Sequence, residues 1–290
     1  MFLYGSHLHG ARPGRHSALD LVIVVEDYRR FYDGLCTAGE IHRPAWLLVA
    51  LAHVLPPNVI AFQTDEAAGD GALAKCLVVS RRHLERALAE KPPDHFLLSR
   101  MVQEVGLVWA KDANRRSWVM ARIQHARAGV LAWVGPFLPA VFDAGTLGRT
   151  MMEVSYRAEF RPEAADRSEV IFESQKRHFE SRFTPILKEA ASAGVLERTD
   201  GGYRYTAGRK PRRVAFGRGY FARSKARVTA RWLKHVLTFD KWLPYIVRKV
   251  ERRTGTTIEL TRLERRWPVI FLWPRVIRVL RYRPDTEEPS

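Results

Sequence analysis

Short apolar runs alternate with stretches of helical spacing over the first 111 residues. Phe2 to Tyr4 reads as a strand. Leu19 to Val25 reads as a buried one, because Asp20 is the only polar residue in seven. Asp27 to Leu35 and Trp46 to Val54 predict helices. Val59 to Gln63 and Leu73 to Val79 are rich in apolar and β-branched residues and predict strands. Ser80 stands where a helix N-cap belongs, ahead of a helix over Arg81 to Glu90. Leu107 to Ala110 predicts a last strand. Strands interleaved with helices make residues 1–111 an α/β domain.

The pattern changes after Lys111. Arg116 to Leu131 and Phe172 to Glu189 carry helical spacing. Pro185 to Leu196 continues as helix and is followed by two short strand-like runs around Asp200-Gly201, a hairpin turn pair. Helix then hairpin is the order of a winged helix; a helical domain with an incidental hairpin fits equally well. This second region is residues 112–208. The third, residues 209–290, is expected to be helical over Ser224 to Val236 and Leu243 to Arg253. It ends in an acidic tail from Asp285 whose composition predicts disorder.

Charge separates the third region from the rest. The chain has 290 residues and a net charge of +17, yet Arg209 to Arg283 alone holds 22 Lys+Arg against 4 Asp+Glu. The remainder is close to neutral, so the basic excess is one block that calls for a polyanion, either nucleic acid or an anionic membrane. Between Trp267 and Arg283, Trp and aliphatic residues alternate with arginines. That suits a segment at a lipid headgroup layer, and equally a core helix with solvated arginines. No apolar run reaches the ~18 to 20 residues of a membrane span, and no secretory leader pattern is visible. Two cysteines, Cys36 and Cys76, form neither a disulfide framework nor a metal set. The expected location is therefore cytoplasmic, with peripheral attachment to the inner leaflet.

The candidate chemistry lies at the start. Tyr4-Gly5-Ser6 is followed by a Gly/Arg/His-rich loop containing Arg12, Arg15 and His16, and then by Asp20. A glycine turn lets backbone N–H groups approach phosphates, and a strand-borne carboxylate can hold a metal on them. Nucleotidyl-transferring enzymes usually pair two such carboxylates at i and i+2; here the first of those positions is Ala18.

Across most of its length the chain resembles the translocator assembly and maintenance family, the mitochondrial-type CDP-diacylglycerol synthases. That family also has a single aspartate after its Tyr-Gly-Ser turn, here Tyr4, Gly5, Ser6 and Asp20, and then an acidic strand end, here Glu26-Asp27. Further along come Lys75 to Ser80, Ser99-Arg100, Ser155-Tyr156 with Glu159-Phe160-Arg161, His178-Phe179 and Ser224-Lys225. Phe31-Tyr32, Gln63, Ser99 and Gly106 depart from the family pattern and point to a divergent, bacterial branch.

The resemblance implies a phosphatidate cytidylyltransferase, a Mg²⁺-dependent enzyme transferring CMP from CTP to phosphatidic acid. It implies an α/β nucleotidyltransferase domain, a winged-helix-like domain and a basic amphipathic C-terminal region. Asp20 and Lys75 would be catalytic, with Asp20 and Glu26 on the metal. Tyr4, Gly5, Ser6, Lys75 and Arg100 would bind nucleotide, and Ser155, Tyr156 and Arg161 the lipid phosphate. Trp267, Phe271, Trp273, Arg275 and Arg278 would touch the membrane. Two alternatives stand beside it: an inactive nucleotidyltransferase fold that binds nucleic acid, and a nucleotidyltransferase with another acceptor.

Overall fold

A computed structural model of the chain describes residues 1–8, 18–63, 73–157, 167–211, 218–238 and Thr261. The expected helix over Leu243 to Arg253, the Trp267 to Arg283 segment and the acidic tail lie outside these residues. In the first region β1 (Phe2–Tyr4) and β2 (Leu19–Val25) lead into α1 (Tyr28–Thr37) and α2 (Ala45–Val54). Then come β3 (Asn58–Gln63), β4 (Leu73–Ser80), α3 (Arg81–Ala87), α4 (Leu98–Met101) and β5 (Gly106–Leu107). The strands form one mixed sheet in the order β3-β4-β2-β1-β5, with β2 and β4 parallel and the other pairs antiparallel. Ser80 caps α3, its hydroxyl accepting from His83 N, as the sequence predicts. α3 stops at Ala87, short of Glu90, and β5 is only two residues long.

Both faces of the central strands are covered, which is why β2 and β4 read as continuous apolar runs. On one face Ile60, Cys76 and Val78 pack under α1 and α2, against Tyr28, Tyr32, Leu48 and Ala52. On the other, Phe2, Val22, Val59, Leu77 and Val79 begin a core that continues into the helical part of the molecule.

That helical part starts with α5 (Ala113–Ala128), capped by Asp112, whose carboxylate accepts from Arg115 N at 2.7 Å. It continues with α6 (Val130–Val134), α7 (Ala144–Arg157), α8 (Arg167–Ser192) and the hairpin of β6 (Leu196–Thr199) and β7 (Gly202–Tyr205). The overlapping stretches expected as helix, Phe172 to Glu189 and Pro185 to Leu196, lie in one helix with the proline inside it, except that the helix ends at Ser192 and Leu196 begins β6. α7 is not evident in the sequence pattern. It packs closely on α8 where Gly148 meets Phe179: a Cβ there would lie 2.8 Å from Phe179 Cβ. Thr199 pairs with Gly202 across the Asp200-Gly201 turn, as expected.

The last described element, α9 (Arg218–Thr238), opens the basic block and returns to the α/β sheet, where it packs on the edge strand β3. Its buried face is polar. His95 N donates to Ser224 Oγ at 3.1 Å, and His95 Nδ1 lies 2.6 Å from Tyr220 OH. Asp94 Oδ2 accepts from Arg227 Nε at 2.7 Å and from Arg231 Nη2 at 2.6 Å. Arg231 Nε donates to Pro56 O at 2.8 Å. Lys234 Nζ donates to Pro57 O at 2.7 Å, to Asn58 Oδ1 at 2.9 Å and to Leu55 O. Burial, followed by the charges of Arg231 and Arg227, pushes Lys234 down to about 6. Part of the basic block is thus turned inward: Arg227 and Arg231 share one buried carboxylate, and Lys234 is enclosed by carbonyls.

Candidate functional site

The candidate site is assembled where β1 ends and β2 begins. Tyr4 pairs with Asp20 across the antiparallel ladder, and Asp20 pairs with Lys75 across the parallel one. Residues in one row of a sheet share a face. Tyr4, Asp20 and Lys75 therefore stand side by side, on the face that bears Phe2, Val22 and Leu77. Gly5 turns the chain over this row with φ of 83°, in the left-handed region where glycine carries no Cβ penalty. A Cβ on Gly5 would sit 3.0 Å from Asp20 Oδ2, so the turn lies directly against the carboxylate. Leu8 N donates to Gly5 O at 3.0 Å and closes the turn, with Ser6 inside it. Tyr4, Gly5, Ser6, Asp20 and Lys75 are all half-buried.

Two arginines from two helices meet at the Phe96 ring. Arg100, on α4, places its guanidinium carbon 3.8 Å from the centre of the Phe96 ring and donates to Phe96 O. Arg231, on α9, stacks on the same ring at 4.9 Å. The imidazole of His235, one turn beyond Arg231, is held well below its ordinary pKa. Burial is the main cause, and the charges of Lys75, Lys234, Arg231 and Arg100 add to it. Burial and the Asp20 charge push the Cys76 thiol, on the strand beside Asp20, up to about 12.

Other residues that the sequence singles out fall elsewhere. Glu26 lies just past the end of β2, six residues beyond Asp20 and about 20 Å away at strand rise, and its carboxylate pairs with Arg115 Nε at 2.6 Å on the surface. Glu26 and Asp20 cannot share one ion, and the expected metal pair is corrected on that ground. Ser155 is buried in the helical core and donates to Met151 Sδ at 3.8 Å, which closes it to a lipid phosphate in this conformation. Tyr156 is half-buried against the same core. Arg161, Trp267, Phe271, Trp273, Arg275 and Arg278 lie outside the described residues, as do Arg12, Arg15 and His16.

Among the described residues no group of three or more His, Cys, Asp and Glu side chains is placed to hold a metal. Asp20 alone matches the way Mg²⁺ is often bound, by one or two carboxylates with water and substrate phosphates completing its shell. No described helix is long and apolar enough to cross a membrane.

Arg231 and His235 were not evident as site residues in the sequence. The available signal was the spacing of Arg227, Arg231, Lys234 and His235, which puts four basic or titratable side chains on one side of a helix. Compared with known proteins, the chain matches no family model and no curated protein.

Proposed function

We propose that the chain is a nucleotidyltransferase of the CDP-diacylglycerol synthase type, working at an anionic membrane surface. The observation that carries this reading is the seat of the Gly5 turn on the Asp20 carboxylate, with Lys75 beside it. These are the residues that the resemblance to the translocator assembly and maintenance family picks out. The α8 helix followed by the β6–β7 hairpin is in keeping with the winged-helix-like domain of that family.

In the proposed reaction an oxygen of the phosphatidic acid phosphate attacks the α-phosphorus of CTP. The bond from that phosphorus to the bridging oxygen breaks, and pyrophosphate leaves with the electron pair. The attacking phosphate is already ionised at neutral pH, so no strong general base is needed, and a site with one strand carboxylate is sufficient in principle. Asp20 would hold Mg²⁺, which when bound would neutralise charge on the phosphate oxygens. Lys75 and Arg100 would offset the remaining negative charge, and the Gly5 turn would bring backbone N–H groups to the triphosphate. The basic segment beyond residue 260 would attach the protein to anionic lipid, each Lys or Arg contributing about 1 kcal/mol. A nucleic-acid role draws less support, since Arg227, Arg231 and Lys234 are taken up internally.

The test is to mix the full chain with Mg²⁺, CTP and vesicles containing phosphatidic acid and to look for CDP-diacylglycerol. Product is expected. Its absence with every anionic lipid tried, from folded protein, would overturn the reading. Binding to duplex DNA or RNA at least as tight as binding to anionic vesicles at equal salt would favour the nucleic-acid alternative.

A further inference from the structure

The basic block does more in this fold than add charge near a membrane. Four cationic side chains, Lys75, Arg100, Arg227 and Arg231, are contributed by β4, α4 and α9. The acidic groups identified among them are Asp94, which takes Arg227 and Arg231, and Asp20. The cluster is cation-rich although much of it is buried. Such an arrangement is costly unless something negative is bound there.

Two donors point to where that charge would sit. Arg231 uses Nε on Pro56 O and Nη2 on Asp94, while its buried Nη1 has no hydrogen-bond partner among the described residues. His235 Nε2 is likewise buried and without a partner among them. The two residues are four positions apart on α9 and so lie one above the other on one helix face. The Phe96 ring ties Arg231 to Arg100, and the charges of Lys75 and Arg100 both bear on His235. Buried polar atoms are nearly always satisfied, so two unsatisfied nitrogens on one face of α9, with the charges of Lys75 and Arg100 acting on His235, ask for an acceptor-rich ligand.

We propose that this face of α9 is a wall of the site and carries a polyphosphate subsite. In it Arg231 Nη1 and His235 Nε2 donate to phosphate oxygens whose charge Lys75 and Arg100 also balance. Identifying the ligand as the triphosphate of a nucleotide rests on the nucleotidyltransferase reading; the anion subsite itself does not. A chain of phosphates fits better than a single carboxylate, because it offers several negative oxygens over the length of one helical turn.

The experiment is calorimetric titration of the full chain with inorganic tripolyphosphate, without lipid, at fixed ionic strength. The wild type is expected to bind. His235→Ala is expected to weaken binding about tenfold, the loss of one hydrogen bond to a charged group, and His235→Gln, which restores a donor, to recover part of it. Arg198→Ala, on the exposed hairpin strand β6, controls for general charge and is expected to bind like the wild type. Thermal melts of each variant establish that it is folded. Equal binding by wild type and folded His235→Ala overturns the subsite, as does equal loss in Arg198→Ala. The two proposals fail separately. CDP-diacylglycerol formation together with His235-independent tripolyphosphate binding removes the subsite and leaves the reaction. His235-dependent binding with no CMP transfer to any lipid does the reverse.

Discussion

The two ends of β2 carry the same chemistry in different surroundings. Asp20 is near the start of β2 and Glu26 just past its end; Asp20 lies under a glycine turn and beside a lysine on the parallel neighbour. Glu26 stands at the open end with Arg115 as an exposed partner. At the Asp20 end the carboxylate is constrained by backbone and stands beside Lys75. At the Glu26 end two long side chains meet in water, where such pairs contribute little. Position on a strand thus outweighs residue type in deciding which carboxylate can serve a site.

Four substitutions would break or sharpen that contrast. Asp20→Asn should abolish CMP transfer, with a loss of about a thousandfold or more in turnover, since it removes the only strand carboxylate at the site among the described residues; radiolabelled CTP incorporation into lipid measures it. Asp94→Ala should destabilise the fold by about 3–5 kcal/mol, because it leaves Arg231 buried without its acid; urea unfolding gives the value. Gly5→Ala forces a Cβ against Asp20 Oδ2 at a positive φ, and should lower turnover about tenfold to a hundredfold while the protein stays folded. Glu26→Gln should change turnover less than twofold and stability by about 0–1 kcal/mol. A large loss of activity in Glu26→Gln would mean that the two strand ends are functionally linked after all.

Asp94 also gives the comparison a pH dependence. Burial acts to raise its carboxyl, but the Arg231 charge and the hydrogen bonds from Arg231, Arg227 and Phe96 N outweigh it and hold the group below the usual carboxylate range. A carboxylate depressed in the folded state stabilises the protein above its unfolded value, and that stability is lost as pH falls through the folded one. Acid unfolding should therefore deepen below about pH 3.8, the ordinary carboxylate value. The same titration on Asp94→Asn should lose this component, which circular dichroism at stepped pH would reveal.

The strands and caps were legible because their causes are local. Leu19–Val25 is apolar on both faces and was read with its observed limits, and Ser80 announces α3 by an N-cap hydroxyl. α7 was missed because Gly145, Gly148 and Thr150 interrupt its apolar spacing. The structure explains Gly148 by the close approach of Phe179, a tertiary reason that no window of sequence contains. The Gly5 turn and Asp20 are legible from the turn and the strand pattern, whereas Lys75 is singled out only by the family resemblance, and the parallel register then puts it beside Asp20. Pairing Asp20 with Glu26 failed because neighbours in sequence are far apart along an extended strand. Arg231 was hidden for the opposite reason: its acid lies 137 positions away, so the charge count registered the arginine and not its partner.

The cage around Lys234 bears on the order in which this molecule can be made. Leu55, Pro57 and Asn58 leave the ribosome long before residue 234, and Arg231 reaches back 175 positions to Pro56. Until α9 arrives, the turn ahead of β3 has carbonyls with no lysine to cap them, on the open edge of a sheet. The N-terminal sheet is therefore finished late in synthesis, by an element that belongs in sequence to the opposite end of the chain.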